Sequence, residues 1–230
     1  MRSHRPAVEL CSVDAHYDHE LALDDVSVSV DPGSITAVIG PNGSGKSTMF
    51  ALISGRMQPT SGTVERIGEV ADVTQATSID PLLSLTVDDV VRMGRYRSRG
   101  LLGRMRREDR RACDEALDRV DLLDLRSRPI NQLSGGQRQR ALVAQGIVQH
   151  ASVLLLDEPA AGLDVTSQAN ILDVIRDEAE RGRTVMFSTH QLQDTAEADI
   201  VIALNRQCVC CSPTTAAMSN PAVTALFERH

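Results

Sequence analysis

The sequence has almost no lysine: of its 24 basic side chains, every one is arginine except Lys46. An ammonium is a compact point charge where a guanidinium is a planar fork, so a single retained lysine points to a task at that position that arginine does not perform. The chain also lacks any apolar run approaching the ~20 residues of a membrane helix, and no membrane span is expected. Ala7 to Val13 is broken by Glu9 and leads to no cleavage-like site, so no signal peptide is expected. Positive net charge is missing too. At -7, general attraction to nucleic acid is not expected, and no nucleic-acid partner is foreseen. Nor is there a disulfide framework: the five cysteines are an odd number in a chain without disulfide-rich composition, which fits reduced thiols in the cytoplasm. What remains, 42% hydrophobic and 24% charged residues over 230 positions, is the composition of one globular domain with a lobed subdomain.

The neighbours of Lys46 explain its retention. The short β-branched run Ile35 to Ile39 leads directly into Gly40-Pro41-Asn42-Gly43-Ser44-Gly45-Lys46-Ser47-Thr48, and Met49 to Ile53 reads as a helix ending near Gly55. This is G-x-x-x-x-G-K-S/T between a strand and a helix. Its glycines let the backbone curl with N–H groups pointing inward, the helix N-terminus adds positive dipole, Lys46 is suited to the β- and γ-phosphates, and Ser47 to Mg²⁺. A second strand, Val153 to Leu156, is continuously apolar, as expected where a parallel sheet is covered on both faces. Asp157 and Glu158 stand at its carboxyl end, where ligands of open α/β sheets bind. There Asp157 can hold Mg²⁺ and Glu158 can polarise the attacking water, although two acids after a strand can also be only a solvated turn.

Leu133-Ser134-Gly135-Gly136-Gln137 resembles the signature of ATP-binding-cassette (ABC) transporter ATPases, and that resemblance extends along nearly the whole chain, with the motifs in the family's order. It implies a P-loop α/β fold: a mainly parallel core sheet flanked by helices, an antiparallel β region over Val8 to Val30, and a helical subdomain at about 80–135 inserted in one cassette spanning 1–230. It further implies that Tyr17 stacks on adenine and that Gln75 senses Mg²⁺ and the membrane partner. Asp164 in Gly162-Leu163-Asp164 belongs to a dimer-contacting loop, and His190 in Ser188-Thr189-His190 contacts the γ-phosphate. Taken alone, Tyr17 could be a surface aromatic, Gln75 a strand-end polar residue and His190 a satisfied histidine. The catalytic group so implied is Glu158, His190, Lys46 and Gln75. ATP is held by Tyr17, by residues 40–48, and by Ser134, Gly135, Gly136, Gln137 and Asp164 of the opposing copy; Mg²⁺ is held by Ser47, Gln75 and Asp157. The resemblance also implies an ATP-bound homodimer, an integral membrane permease, an extracytoplasmic metal-binding protein, and a location on the inner face of the cell membrane.

Within the family, Leu85-Thr86-Val87 followed by Met93-Gly94-Arg95 resembles the energising subunits of zinc or manganese uptake, zinc nearest, and related segments occur in ferric-siderophore and cobalamin importers. Gln145-Gly146, where most cassettes have Arg-Ala, reads as a subfamily mark. About 58 residues separate Gln75 from Leu133, too few for the long heptad segments of DNA-repair and chromosome ATPases of the same superfamily. Each motif occurs once, unlike the two-cassette translation ATPases.

Four secondary readings complete the set. Leu85 to Met93 and Arg110 to Leu125 are candidate helices. The arginine-dense stretch from Arg92 to Arg111 is either a contact for the membrane subunit or anionic lipid, or a solvated helical face. Strand alternation places Cys208 and Cys210 on one face, short of the four ligands of a structural zinc site. His16 and His19 read as surface-loop histidines.

Overall fold

The computed structural model describes residues 5–18, 20–73, 85–99 and 105–227. The chain opens with an antiparallel hairpin, β1 (Val8–Tyr17) and β2 (Glu20–Val30), and then enters β3 (Ile35–Ile39) and α1 (Lys46–Ser54). Two further strands follow, β4 (Ser61–Arg66) and β5 (Val70–Val73). Next come α2 (Val87–Arg99), α3 (Arg107–Arg119), α4 (Gly135–Ile147), β6 (Val153–Leu156), α5 (Val165–Glu180) and β7 (Thr184–Thr189). The chain closes with β8 (Ile200–Asn205), β9 (Gln207–Pro213), α6 (Thr214–Met218) and α7 (Pro221–Phe227). One sheet runs β2-β1-β4 and is antiparallel; the other runs β5-β6-β7-β3-β8-β9, parallel except for β9.

The period-2 geometry of a strand explains the layering. On β6, Leu154 and Leu156 point into a core shared with α2, α3, α4 and α5, while Val153 and Leu155 point into a second core. That second core is built from the antiparallel sheet and α1, whose Met49, Phe50, Leu52 and Ile53 are all buried. The central sheet is therefore covered on both faces, which is why β3 and β6 read as unbroken apolar runs. α1 is enclosed between two sheets, and its N-terminus emerges at the carboxyl edge of the parallel strands.

Several expectations need correction. The second helix starts at Val87 and the third ends at Arg119, after which Leu123–Leu125 is a separate 3-10 turn. Cys208 and Cys210 do not share a face. A register shift between Ala203 and Leu204 breaks the alternation, so Cys208 packs toward the antiparallel-sheet core and Cys210 toward the helical one. All five cysteines are free thiols. His16 lies within β1, with Nδ1 3.3 Å from Thr60 Oγ1, rather than in a loop; His19 is outside the described residues. The arginine-dense stretch is not uniformly solvated, because Arg95 turns inward and donates to Asp109 Oδ1 at 2.8 and 3.0 Å and to the Val148 carbonyl at 2.8 Å. Among the described residues, no helix is long and apolar enough to cross a membrane.

Candidate functional site

The loop from β3 to α1 is shaped by positions where a side chain cannot fit. Gly45 has φ 101, and a Cβ there would come within 2.8 Å of the Ala22 carbonyl and overlap Leu23. Gly40 has φ 153, and its Cβ would meet Ser44 Oγ at 2.6 Å. Only glycine lets the loop pass this close to β2 and to itself. Lys46, 5% exposed, is the first residue of α1 and folds back, its Nζ donating to the carbonyls of Gly40 at 2.8 Å and Pro41 at 3.1 Å. Burial holds the ammonium below the usual lysine range, while Glu158 and Asp157 partly oppose that shift. The two carboxylates are therefore close enough to Lys46 to be felt by it.

An open cavity of about 330 Å³ is lined by Tyr17, residues 42–48, Glu158 and Arg206. The structure thus brings together residues separated by more than a hundred positions: Tyr17 at the end of β1, 54% exposed; the glycine loop; and Glu158 just beyond β6. Beneath it, Ser188 Oγ at the end of β7 donates to Asp157 Oδ1 at 2.6 Å and accepts from the Glu158 N–H at 2.8 Å. Glu158 itself has φ 48, a left-handed conformation that is costly for a residue with a side chain. His190 follows β7, with Nδ1 3.8 Å from Glu158 Oε1, and also faces a neighbouring cavity bounded by Pro41, Asn42, Leu226 and Phe227. Ser47 supplies a hydroxyl and Asp157 a carboxylate, the hard oxygen donors that suit Mg²⁺.

The remaining expected residues form a second group. Ser134 caps α4: its Oγ accepts from the Gln137 N–H at 3.2 Å, and Gln137 Oε1 accepts from the Ser134 N–H at 3.1 Å. Asp164 caps α5, accepting from the Ser167 N–H at 3.0 Å and hydroxyl at 2.8 Å; those bonds, the N–H first, hold its carboxyl below the usual range. The two helix starts adjoin, since a Cβ on Gly136 would stand 3.2 Å from Ser167 Oγ and 3.5 Å from Leu163. None of Ser134, Gly135, Gly136, Gln137 and Asp164 is among the described residues lining the cavity. Gln75 lies outside the described residues. No role for Ser188 or Arg206 is expected from the sequence alone. A hydroxyl at the carboxyl end of the buried strand β7 was the available signal for Ser188; one arginine among many gave none for Arg206.

A strand, a glycine loop, a helix N-terminus and a carboxylate pair around one cavity form a nucleotide-binding arrangement, and the sequence profile of the ABC transporter family matches residues 23–161. The chain belongs to that family. The cassette is 41% identical to the manganese transport system ATP-binding protein MntA of Synechocystis over 81% of its own length and 76% of that protein's. To the manganese transport system ATP-binding protein MntB of Bacillus subtilis it is 36% identical, covering 90% and 86% of the two chains. With the chelated iron transport system membrane protein YfeB of Yersinia pestis the identity is 36%, over 91% and 75%. The fold matches that of a metal-chelate type ABC transporter in an inward-facing conformation, with TM-score 0.88, 31% identity, and coverage of 97% and 89%. A dimeric cassette bound to ADP and phosphate matches with TM-score 0.78, 26% identity, and coverage of 90% and 98%. This chain is accordingly a nucleotide-binding ABC ATPase.

Proposed function

We propose that this cassette hydrolyses ATP to drive import of a divalent transition-metal ion through a separate permease. The observation that carries the catalytic part is the convergence of Lys46, Glu158 and Tyr17 on one cavity, with Asp157 tied beside Glu158 through Ser188. In this reading Tyr17 stacks on the adenine, and the N–H groups of residues 40–48 cradle the phosphates. Lys46 exchanges its two loop carbonyls for the β- and γ-phosphates. Ser47, Asp157 and Gln75 hold Mg²⁺, which neutralises charge on those phosphates when bound. Glu158 accepts a hydrogen bond from the attacking water and orients it, while His190, flanking Glu158, contacts the γ-phosphate.

The separate cluster at Ser134 and Asp164 supports a head-to-tail homodimer. Helix α4 starts at the exposed cap Ser134 and Gly135, next to the Gly162-Leu163-Asp164 loop, and none of these residues lines the cavity of the same chain. A two-fold operation would set that cluster over the partner's phosphates, giving two ATP molecules in one seam. The whole chain then acts as one cassette with the helical segment at about 80–135 inserted, peripheral to the inner membrane face, with an extracytoplasmic metal-binding protein delivering the ion.

The relatives of this chain named for manganese make manganese the favoured cargo; the Leu85-Thr86-Val87 and Met93-Gly94-Arg95 segments favour zinc as the second reading. The catalytic part is tested by Glu158→Gln. We expect ATP binding to persist, steady-state hydrolysis to fall by about 10²–10⁴-fold, and an ATP-dependent dimer to accumulate on size-exclusion chromatography. Normal turnover in that variant would remove Glu158 from its assigned role.

A further inference from the structure

Arg206 is the single residue that turns β8 into β9, standing between the paired Asn205 and Gln207. Its φ of 63 is left-handed, a conformation that glycine or asparagine adopts more readily than arginine. The turn is locked at both backbone atoms: the Arg206 N–H donates to the carbonyl of Ser44 in the glycine loop at 2.8 Å, and its carbonyl accepts from the Asp24 N–H at 2.9 Å. Gln207 Nε2 adds a bond to Asp24 Oδ2 at 2.7 Å. The hairpin tip is thereby fixed against the nucleotide loop on one side and β2 on the other. From this anchored position Arg206 lines the same cavity as Tyr17 and Lys46, and these two cations are the only ones among its described lining residues. Among the described residues the Arg206 guanidinium has no hydrogen-bond or ion-pair partner, although Glu20 and Glu158 line the cavity too.

We propose that Arg206 is a nucleotide-binding residue, its guanidinium meeting the base–ribose–α-phosphate end that ATP and ADP share. The inference rests on reading this cavity as the nucleotide site. Lys46 occupies the end of the cavity near Asp157 and Glu158, where terminal phosphates belong, whereas Arg206 is tied to Ser44 and Asp24 on the side of β2 and Tyr17. A guanidinium there offers a forked donor to a phosphate oxygen or a planar face to a base, neither of which a backbone-only turn supplies. An arginine in a left-handed turn is therefore accounted for by its side chain rather than by its backbone.

Arg206→Gly and Arg206→Asn both suit the local backbone, so each separates the side chain's role from the turn's. Dissociation constants for ATP and ADP would be measured by titration calorimetry on the full chain, with thermal unfolding of the nucleotide-free protein alongside. We expect affinity for both nucleotides to fall by about tenfold, the scale of one charged hydrogen bond, with an unfolding midpoint no lower than that of the unaltered chain. Constants within twofold of the unaltered chain, or a loss confined to ATP, would overturn the proposal. Failure of the unaltered chain itself to bind ATP would instead overturn the reading of the cavity.

Discussion

The left-handed backbone of Glu158 costs a non-glycine residue about 1–2 kcal/mol, and the hydrogen bond from its N–H to Ser188 helps to offset that cost. Ser188 is fully buried, and its single hydroxyl holds both acidic residues at once, Asp157 through carboxylate Oδ1 and Glu158 through its backbone amide. Ser188→Ala leaves a buried amide and a carboxylate oxygen without that partner, and should destabilise the fold by about 1–3 kcal/mol in urea titration. Because a shift of about 1 Å in a catalytic group can cost a hundredfold, turnover should fall by roughly 10–100-fold while ATP affinity changes little. Equal losses in affinity and turnover would assign Ser188 to the cavity's overall shape instead. At this scale Lys46 was legible without coordinates, because one lysine in an arginine-only chain sits inside a glycine loop. Ser188 and Arg206 were not, because their roles come from strands and turns that meet only in three dimensions.

Among the secondary-structure elements, two glycines set how closely α4 packs. A Cβ on Gly146 would overlap Val73 of β5 and stand 3.0 Å from Leu154 of β6, the strand that leads into Asp157. A Cβ on Gly94 of α2 would overlap the Gln145 carbonyl and come within 2.6 Å of Val148 Cγ2. Gln145-Gly146, read in the sequence as a mark of a subfamily, is thus a close-contact seam between α2, α4 and the sheet. Gly146→Ala should cost about 1–3 kcal/mol through overpacking, and Val73→Ala in the same chain should recover part of it, a favourable coupling visible in a double-mutant cycle. At Gly94 the obstacle is backbone, so no side-chain truncation is expected to rescue Gly94→Ala. Helix ends were less legible than strands: β3, β6 and β7 announce themselves as apolar runs, whereas α2 and α3 carry arginines on buried as well as exposed faces. Arg119 of α3 and Arg183 before β7 both pair with the buried Glu178 of α5. The same network contains a pH-sensitive joint. Arg183 donates to His150 Nδ1 at 3.0 Å, and burial first, then Arg183, hold that imidazole below its ordinary value. The unfolded chain binds the proton more readily, so stability should be intact above about pH 6.5 and fall as pH drops toward the lowered value. Asparagine tolerates the positive φ of position 150, and His150→Asn should flatten that slope in thermal unfolding.

For the molecule as a whole, the nucleotide chemistry and the cargo are specified in different places. In the proposed reading the cavity holding the glycine loop serves a nucleotide, and among the described residues no cluster of three or more histidine, cysteine or acidic side chains could hold a metal ion. Of the three cysteines of β9, which invite a zinc reading, Cys208 and Cys210 are set on opposite faces by a bulge. On the proposed reading the ion would be chosen by the permease and the extracytoplasmic protein, and this chain would supply the ATPase alone. A deletion strain and a complemented strain, grown in metal-limited medium and compared by elemental analysis, separate the candidate ions. We expect cellular manganese to fall selectively and to recover with the intact chain but not with Glu158→Gln, which ties the uptake to hydrolysis. A selective fall in zinc would instead favour the reading from the 85–95 segment and leave the ATPase assignment standing. Unchanged contents of manganese, zinc and iron would refute metal import as the work that this ATPase powers.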